Sequence, residues 1–381
     1  MFGNRLTGTV EGYWNTTKDL LLETPIPGIT AFTSTFDNIG QTSNKGLEIS
    51  LSATLLKTEN WNISAGGNIN FNKSNIDQLA PNITGLYGTS WASSASYPTA
   101  DYILKQGSPV GLVRGLTYAG FYTPADFNYN NGMYTLKSGV PDVGTYIGVV
   151  HGLTAANRPA GQNAYPGVAK YQDLNGDGKI DENDVSVIGN TNPKHTGGLN
   201  LNVAYKNFDL GMFFNWSVGN DVYNVNKLAS LYGPKEAGVY ENKLSILNGA
   251  YKIYDVQNGQ LVRLTTPDQL NAANSGANLP LAYNEGGVST TLGIENGSFL
   301  RLNTATLGYR LPKSWLAKAK ITNIYLYGSV YNVFTITGYS GLDPEVGTND
   351  NFNSSKYPTA GLDFGSYPRA RSFVFGLNLN F

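Results

Sequence analysis

The sequence has no cysteine and only two histidines, His151 and His195. Without thiols there is no disulfide scaffold, no cysteine-ligated zinc, no iron–sulfur cluster and no thiol nucleophile. Two histidines cannot build a multi-histidine metal centre, and neither stands in an interpretable Ser/His/Asp spacing, so both read as structural or solvated. Charge is also scarce: 14% of the 381 residues are charged and the formal net charge is −1. A nucleic-acid partner requires a basic face to neutralise phosphates, and this composition offers none. No apolar run approaches the roughly 18 residues of a membrane-crossing helix; Leu20-Leu21-Leu22 is far too short. Met1-Phe2-Gly3 is not a basic stretch leading into an apolar one, so the opening reads as an internal start and not as a secretory signal.

Glycine and tyrosine are plentiful instead, at 45 and 25 residues, and aromatics make up 12% of the chain. That much aromatic side chain argues against disorder. The apolar residues fall at alternate positions. Leu47, Ile49, Leu51, Ala53 and Leu55 interleave with Glu48, Ser50, Ser52 and Thr54; Trp61, Ile63, Ala65, Ile69 and Phe71 interleave with Asn62, Ser64, Asn68 and Asn70. Successive strand side chains point to opposite faces, so each segment has an apolar and a polar side. The pattern recurs at 199–205, 208–218, 305–311, 323–334 and 373–381, and at the front through Leu6, Val10 and Trp14. The segments run to roughly 10–14 residues, against about 5–6 for a soluble strand and about 9–11 for a tilted membrane-crossing one.

Short connections (57–60, 206–207, 312–322) alternate with long ones (18–43, 73–195, 219–297, 335–368). All short turns therefore lie at one end of the sheet, the asymmetry of outer-membrane barrels. Parity allows only an even number of further strands within 73–195. A hairpin of 102–105 with 110–122 is the candidate and would raise the eight strands to ten. On the apolar face Trp61, Tyr205, Tyr309 and Phe381 fall at the short-turn end, and Trp14 and Trp216 at the long-loop end, where aromatic girdles meet the two interfaces. Alternation alone also suits a soluble sheet packed on a second sheet. Strand length, loop asymmetry and aromatic placement favour the membrane.

The expected fold is all-β: an antiparallel transmembrane β-barrel arc of about 8–10 strands with long extracellular loops. An arc fits better than a closed eight-stranded barrel, because Asn62, Asn68, Asn70, Asn200 and Asn202 need water that a narrow interior lacks. On this reading Leu51, Ile63, Leu201, Phe214 and Phe375 face lipid, and Ser52, Asn68, Asn70 and Asn200 face the lumen. Phe381, closing an alternating strand at the last residue, reads as a signal for the outer-membrane barrel assembly machinery.

Segment 173–184 has metal-binding spacing. Asp173, Asn175 and Asp177 stand at positions 1, 3 and 5 of a calcium loop, the carbonyl of Lys179 at 7, Asp181 at 9 and Asp184 at 12 in place of the usual Glu. Hard oxygens converging on one point suit Ca²⁺, and the shorter Asp at the last position suits weak binding. An acidic, glycine-rich turn without metal has the same composition. The Asp181-Glu182 pair belongs to this loop, so no glycosidase dyad is assigned and no catalytic residue is expected. Tyr232, Tyr251, Tyr254, Tyr339 and Tyr357 read first as loop packing and second as stacking surfaces for a sugar or a lid.

Several blocks carry a family resemblance. They are Asn4-Arg5-Leu6-Thr7-Gly8 with Thr17-Lys18-Asp19-Leu20-Leu21; Ile26-Pro27; Asn38-Ile39-Gly40 with Asn44-Lys45-Gly46-Leu47-Glu48; Asp173 to Asp181 with Ile188-Gly189-Asn190 and Asn192-Pro193-Lys194; Phe299-Leu300-Arg301-Leu302 with Leu307-Gly308-Tyr309; and Tyr367-Pro368-Arg369 with Phe381. In this order they resemble the C-terminal barrel portion of SusC/RagA-type TonB-dependent outer-membrane transporters. The resemblance implies a barrel of about 22 strands, an N-terminal plug and TonB-contacting segment absent from this sequence, a SusD-like lipoprotein lid, and import of oligosaccharides or peptides. Residues 1–381 would then be a fragment: barrel wall with 173–184 as a calcium-loop-like insertion in an extracellular loop. The competing reading is a soluble or surface-attached, calcium-stabilised β-rich binding module or adhesin.

Overall fold

Alternating segments can pair only where both faces find a suitable medium, and here they pair with one another. A computed structural model describes residues 5–25, 34–79, 83, 85–88, 100–143, 157–231, 244–282, 288–317, 321–346 and 359–381. Eight long strands form one sheet: β1 (Leu6–Pro25), β2 (Ser34–Lys57), β3 (Trp61–Gln78), β4 (His195–Tyr205), β5 (Phe208–Val218), β6 (Phe299–Arg310), β7 (Asn323–Thr337) and β8 (Ser372–Asn380). Each pairs antiparallel with the next in the chain, leaving β1 and β8 as the edges. The register keeps the two kinds of side chain apart. Leu51, Gly67, Leu199 and Phe214 form one cross-strand row; Ser52, Gly66, Asn200 and Phe213 form the adjacent row on the opposite face.

The apolar face is bare. Val10, Leu51, Leu307 and Phe375 are 69%, 55%, 55% and 84% exposed. A soluble sandwich would cover these residues with a second sheet. The buried core lies instead among the long loops, around Tyr122, Tyr134, Tyr165, Tyr223, Leu228 and Leu270. Tyr134 meets Phe127 and Tyr165 edge-on. Its hydroxyl donates to Thr265 O at 3.0 Å, and that of Tyr122 to Pro141 O at 2.5 Å, so these buried phenols are satisfied. The molecule thus combines a two-faced wall with a packed loop cluster.

Two expectations are corrected. Tyr102–Lys105 and Leu112–Gly115 do pair, but as four-residue strands of a separate four-stranded sheet with Gly85–Gly88 and Ser186–Asn190. Tyr102, Leu104, Leu112 and Val113 are buried there, and four residues fall well short of the about 9–11 a crossing needs. Among the described residues no strand between β3 and β4 joins the wall, which there has eight strands and not ten. Likewise 18–43 is mostly not loop. β1 and β2 stay paired out to Pro25 and Ser34, past an irregularity between Thr17 and Leu20 where Asp19 takes a left-handed φ of 56°. Backbone pairing needs no alternation, so the hairpin continues beyond the apolar band.

Candidate functional site

On the bare face Trp61, Tyr205, Phe208 and Tyr309 line up across β3 to β6 at the short-turn end. Ring centroids of Trp61 and Tyr205 are 4.3 Å apart, and those of Phe208 and Tyr309 are 4.5 Å apart. At the loop end, Trp216 Nε1 donates to His195 Nδ1 at 3.2 Å, and Phe71 lies 5.6 Å from the imidazole. Trp14 is exposed too and lines a cleft with Phe71 and Lys194. From Phe208 to Trp216 the strand rises roughly 26 Å, or about 20 Å along the membrane normal at a tilt of about 40°, close to the ~25 Å apolar band of such barrels. The expected girdles are thus present, and His195 is part of one. His151 lies outside the described residues.

The opposite face is a ladder of hydrogen bonds. Tyr13 Oη donates to Asn72 Oδ1 at 3.0 Å, Asn70 Nδ2 to Glu48 Oε1 at 2.8 Å, and Tyr325 Oη to Asp209 Oδ2 at 2.7 Å. Arg310 Nη1 sits 3.4 Å from Asp209 Oδ1. Glycines let the tyrosines lie against the wall: a Cβ at Gly308 would stand 2.0 Å from Tyr325 Oη, and one at Gly376 2.1 Å from Tyr327 Cζ.

At the loop end of this polar face, residues 338–346 turn back over the wall. Pro344, Glu345 and Val346 face Asn68, Phe213, Asn215 and Phe299 across a cavity of about 570 Å³. Arg301 of β6 is 1% exposed, and its Nη2 donates to Asp343 Oδ1 at 2.6 Å and lies 3.8 Å from Glu345 Oε2. Arg369, just before β8, reaches Asp343 Oδ2 at 3.5 Å and Glu345 Oε2 at 3.2 Å. Asn332 bulges β7 with a φ of 52° and places Arg369 by donating Nδ2 to its carbonyl at 2.9 Å.

The start of this segment is tied down too. The Tyr339 hydroxyl donates to Asp363. Burial, reinforced by that carboxylate, pushes the phenol's pKa well up. Ser340 N–H and Oγ donate to Glu295 Oε2 and Oε1 at 2.9 and 2.8 Å, and Lys227 Nζ lies 3.1 Å from Oε1. Burial would raise the Glu295 pKa, but the Ser340 bonds and the Lys227 charge outweigh it and hold the carboxyl below its ordinary value. Sequence reasoning missed this cluster. Its one signal was Arg301, a charge that shares the parity of apolar Ala305, Leu307 and Tyr309; a register shift between Leu302 and Thr304 turns it to the polar face opposite Asn215.

The acidic loop is held by its own amides. Asp173 Oδ1 and Oδ2 accept from Gly176 and Gly178 N–H at 2.6 and 2.8 Å. Asn175 Oδ1 accepts from Asp177 N–H at 3.0 Å, Asp177 Oδ1 from Lys179 N–H at 2.9 Å, and Asp181 Oδ1 from Asn183 N–H at 2.8 Å. Buried Asp184 joins the two ends, accepting from Leu174 N–H at 2.7 Å and Asp181 N–H at 2.8 Å. Among the described residues no three acidic or histidine side chains converge as a metal-holding group. The oxygen donors still match a hard cation in type and order, and each carboxylate keeps further lone pairs. Phe381 follows β8 and is 86% exposed. Tyr251 and Tyr339 are buried and Tyr254 is exposed; Tyr232 and Tyr357 lie outside the described residues.

A wall with one girdled apolar face, one hydrogen-bonding face and loops gathered at one end is that of an outer-membrane β-barrel. No family model matches the chain. Over 384 residues, all of this chain, it is 30% identical to TonB-dependent receptor P3 of Formosa agariphila, of which it covers 33%. It is 27% identical over 379 residues to the TonB-dependent receptor SusC of Bacteroides thetaiotaomicron, covering 99% of this chain and 30% of SusC. The whole chain superposes on 34% of a chain in the solved structure of the RagAB peptide transporter, with a TM-score of 0.67 at 24% identity. The chain therefore spans about a third of the length of the curated relatives it matches. Over its whole length it is similar to part of the SusC-type TonB-dependent receptors, and its fold is that of the matching part of the RagAB transporter.

Proposed function

We propose that this chain forms the wall and outer loops of a nutrient import channel, as the C-terminal part of a longer receptor. The observation that carries the reading is the open sheet with a bare apolar face: β1 and β8 do not pair with each other. In hydrocarbon each unpaired backbone group costs several kcal/mol, so further strands must close the barrel. Relatives about three times as long have room for those strands, a plug and a TonB-contacting segment. The proposed partners are outer-membrane lipid, a SusD-like lipoprotein over the mouth, the TonB system and the barrel assembly machinery reading Phe381. The imported solute is an oligosaccharide or a peptide; the superposed relative is described as a peptide transporter. The reading also includes a Ca²⁺ ion stiffening loop 173–184, for which the donor order speaks.

The test is deletion of the β4–β5 hairpin from the chromosomal gene, followed by growth on defined oligosaccharide or peptide mixtures as sole carbon source. Loss of growth on one class, restored by the intact gene, is the expected result. Unchanged growth on both classes overturns the import role.

A further inference from the structure

We infer that residues 338–346 are a strap, clasped by Arg301, Asp343, Glu345 and Arg369, that controls entry to the cavity beneath it. The inference rests on the polar face being the lumen wall. The strap lies on that face, with Pro344, Glu345 and Val346 opposite Asn68, Phe213, Asn215 and Phe299. Its shape and its attachment depend on one carboxylate. Asp343 Oδ1 accepts from Glu345 N–H at 2.9 Å, which bends the strap, and from Arg301 Nη2 at 2.6 Å, which pins it to the wall. Arg369 grips the same two acids from the far side. Two arginines meet two carboxylates, so the charges cancel only while the strap is down.

The closed form is under-satisfied. Arg301 Nε and Nη1 are buried without a hydrogen-bond partner. Donors left unpaired out of water carry a free-energy cost, so the clasp is built to release as well as to hold. Beneath it, Asn215 Oδ1 is also shielded and unpartnered. It offers a free acceptor beside the apolar rings of Phe213 and Phe299. That pairing suits a small neutral solute with an N–H or O–H donor and an apolar side. Clasp and cavity meet at two points, Glu345, which lines the cavity, and the Phe299 ring, over which Arg301 lies at 5.4 Å, whereas Phe213 and Asn215 stand on the neighbouring strand β5.

This chain has no native cysteine, so a single introduced thiol reports on the cavity. Asn215→Cys is placed in the full-length receptor, other cysteines replaced by serine, and the detergent-purified barrel is reacted with a charged maleimide. Labelling should be slow in this parent and about tenfold faster or more once Arg301→Gln or Arg369→Gln removes one side of the clasp. Arg369→Lys, which keeps the charge, should stay near the parent rate. Leu342→Cys, at a residue 71% exposed on the strap, should label equally fast in all backgrounds. Heat-modifiable migration checks that each barrel is folded. If Arg301→Gln fails to assemble, the half-exposed Arg369→Gln decides. Equal rates at position 215 with and without the clasp, in folded barrels, overturn the strap; a parent without heat-modifiable migration overturns the barrel reading instead.

Discussion

Leu201 lies four positions from Tyr205 and four from Gly197, which pairs with Trp216. It therefore sits midway between the two aromatic rows, on the apolar face beside Ala65 and Met212. Leu201→Arg would place a guanidinium near the bilayer midplane at a cost of about 2–4 kcal/mol. That is roughly a 30- to 900-fold shift against the assembled state. Asn202 is the next residue but faces the lumen, where Gly211 leaves its side chain room. Asn202→Arg should change stability by no more than about 0.5 kcal/mol, as an ordinary solvated substitution does. The assay is the yield of heat-modifiable, full-length receptor in outer-membrane fractions, each variant against the parent. Severe loss for Leu201→Arg beside near-parental yield for Asn202→Arg is expected. Equal yields, or the reverse order, would refute the facing of the wall.

Other expectations rest on single contacts. Gly308→Val should push Tyr325 off the wall and break its bond to Asp209, costing about 1–3 kcal/mol of stability; denaturant unfolding should show recovery when Tyr325→Ala is added. Deleting Phe381 should slow assembly while leaving synthesis unchanged, which pulse-chase of the heat-modifiable form would show. Calorimetry with calcium should give saturable heat for the parent and none for Asp177→Ala, with dissociation in the roughly 10⁻⁴–10⁻³ M range of extracellular modules; equal heats would reject the ion. Because the Glu295 carboxyl is held below its ordinary value, its stabilising effect is complete above about pH 4.3 and fades as pH falls through the lowered value. Amide exchange at Ser340, corrected for intrinsic rate, should rise in that acidic window in the parent but not in Glu295→Gln.

The sequence made the wall legible because a two-residue period is imposed by the strand itself. Leu47 to Leu55 and Phe373 to Phe381 alternate cleanly, since one face meets lipid and the other water. Alternation stops informing where that contrast ends. The upper part of the β1–β2 hairpin stands beyond the apolar band, so its pairing left no pattern. Tyr102–Lys105 looked like a crossing strand because its core-facing residues alternate, yet its burial comes from the loop cluster. The Arg301 clasp was hidden for another reason. Arg301, Asp343 and Arg369 lie in separate segments, and only the fold of 338–346 back over the wall brings them together. Acidic spacing in 173–184 was visible, but not that Asp184 would be spent on holding the loop's own ends.

Carbene footprinting of the full-length receptor in lipid nanodiscs, with a diazirine probe dissolved in the acyl chains, asks directly what the bare face touches. Mass spectrometry should find label on Leu201, Leu307 and Phe375 and none on Asn200, Asn202 or Ser52. Label on both sets, or protection of the leucines and phenylalanine, would contradict the account.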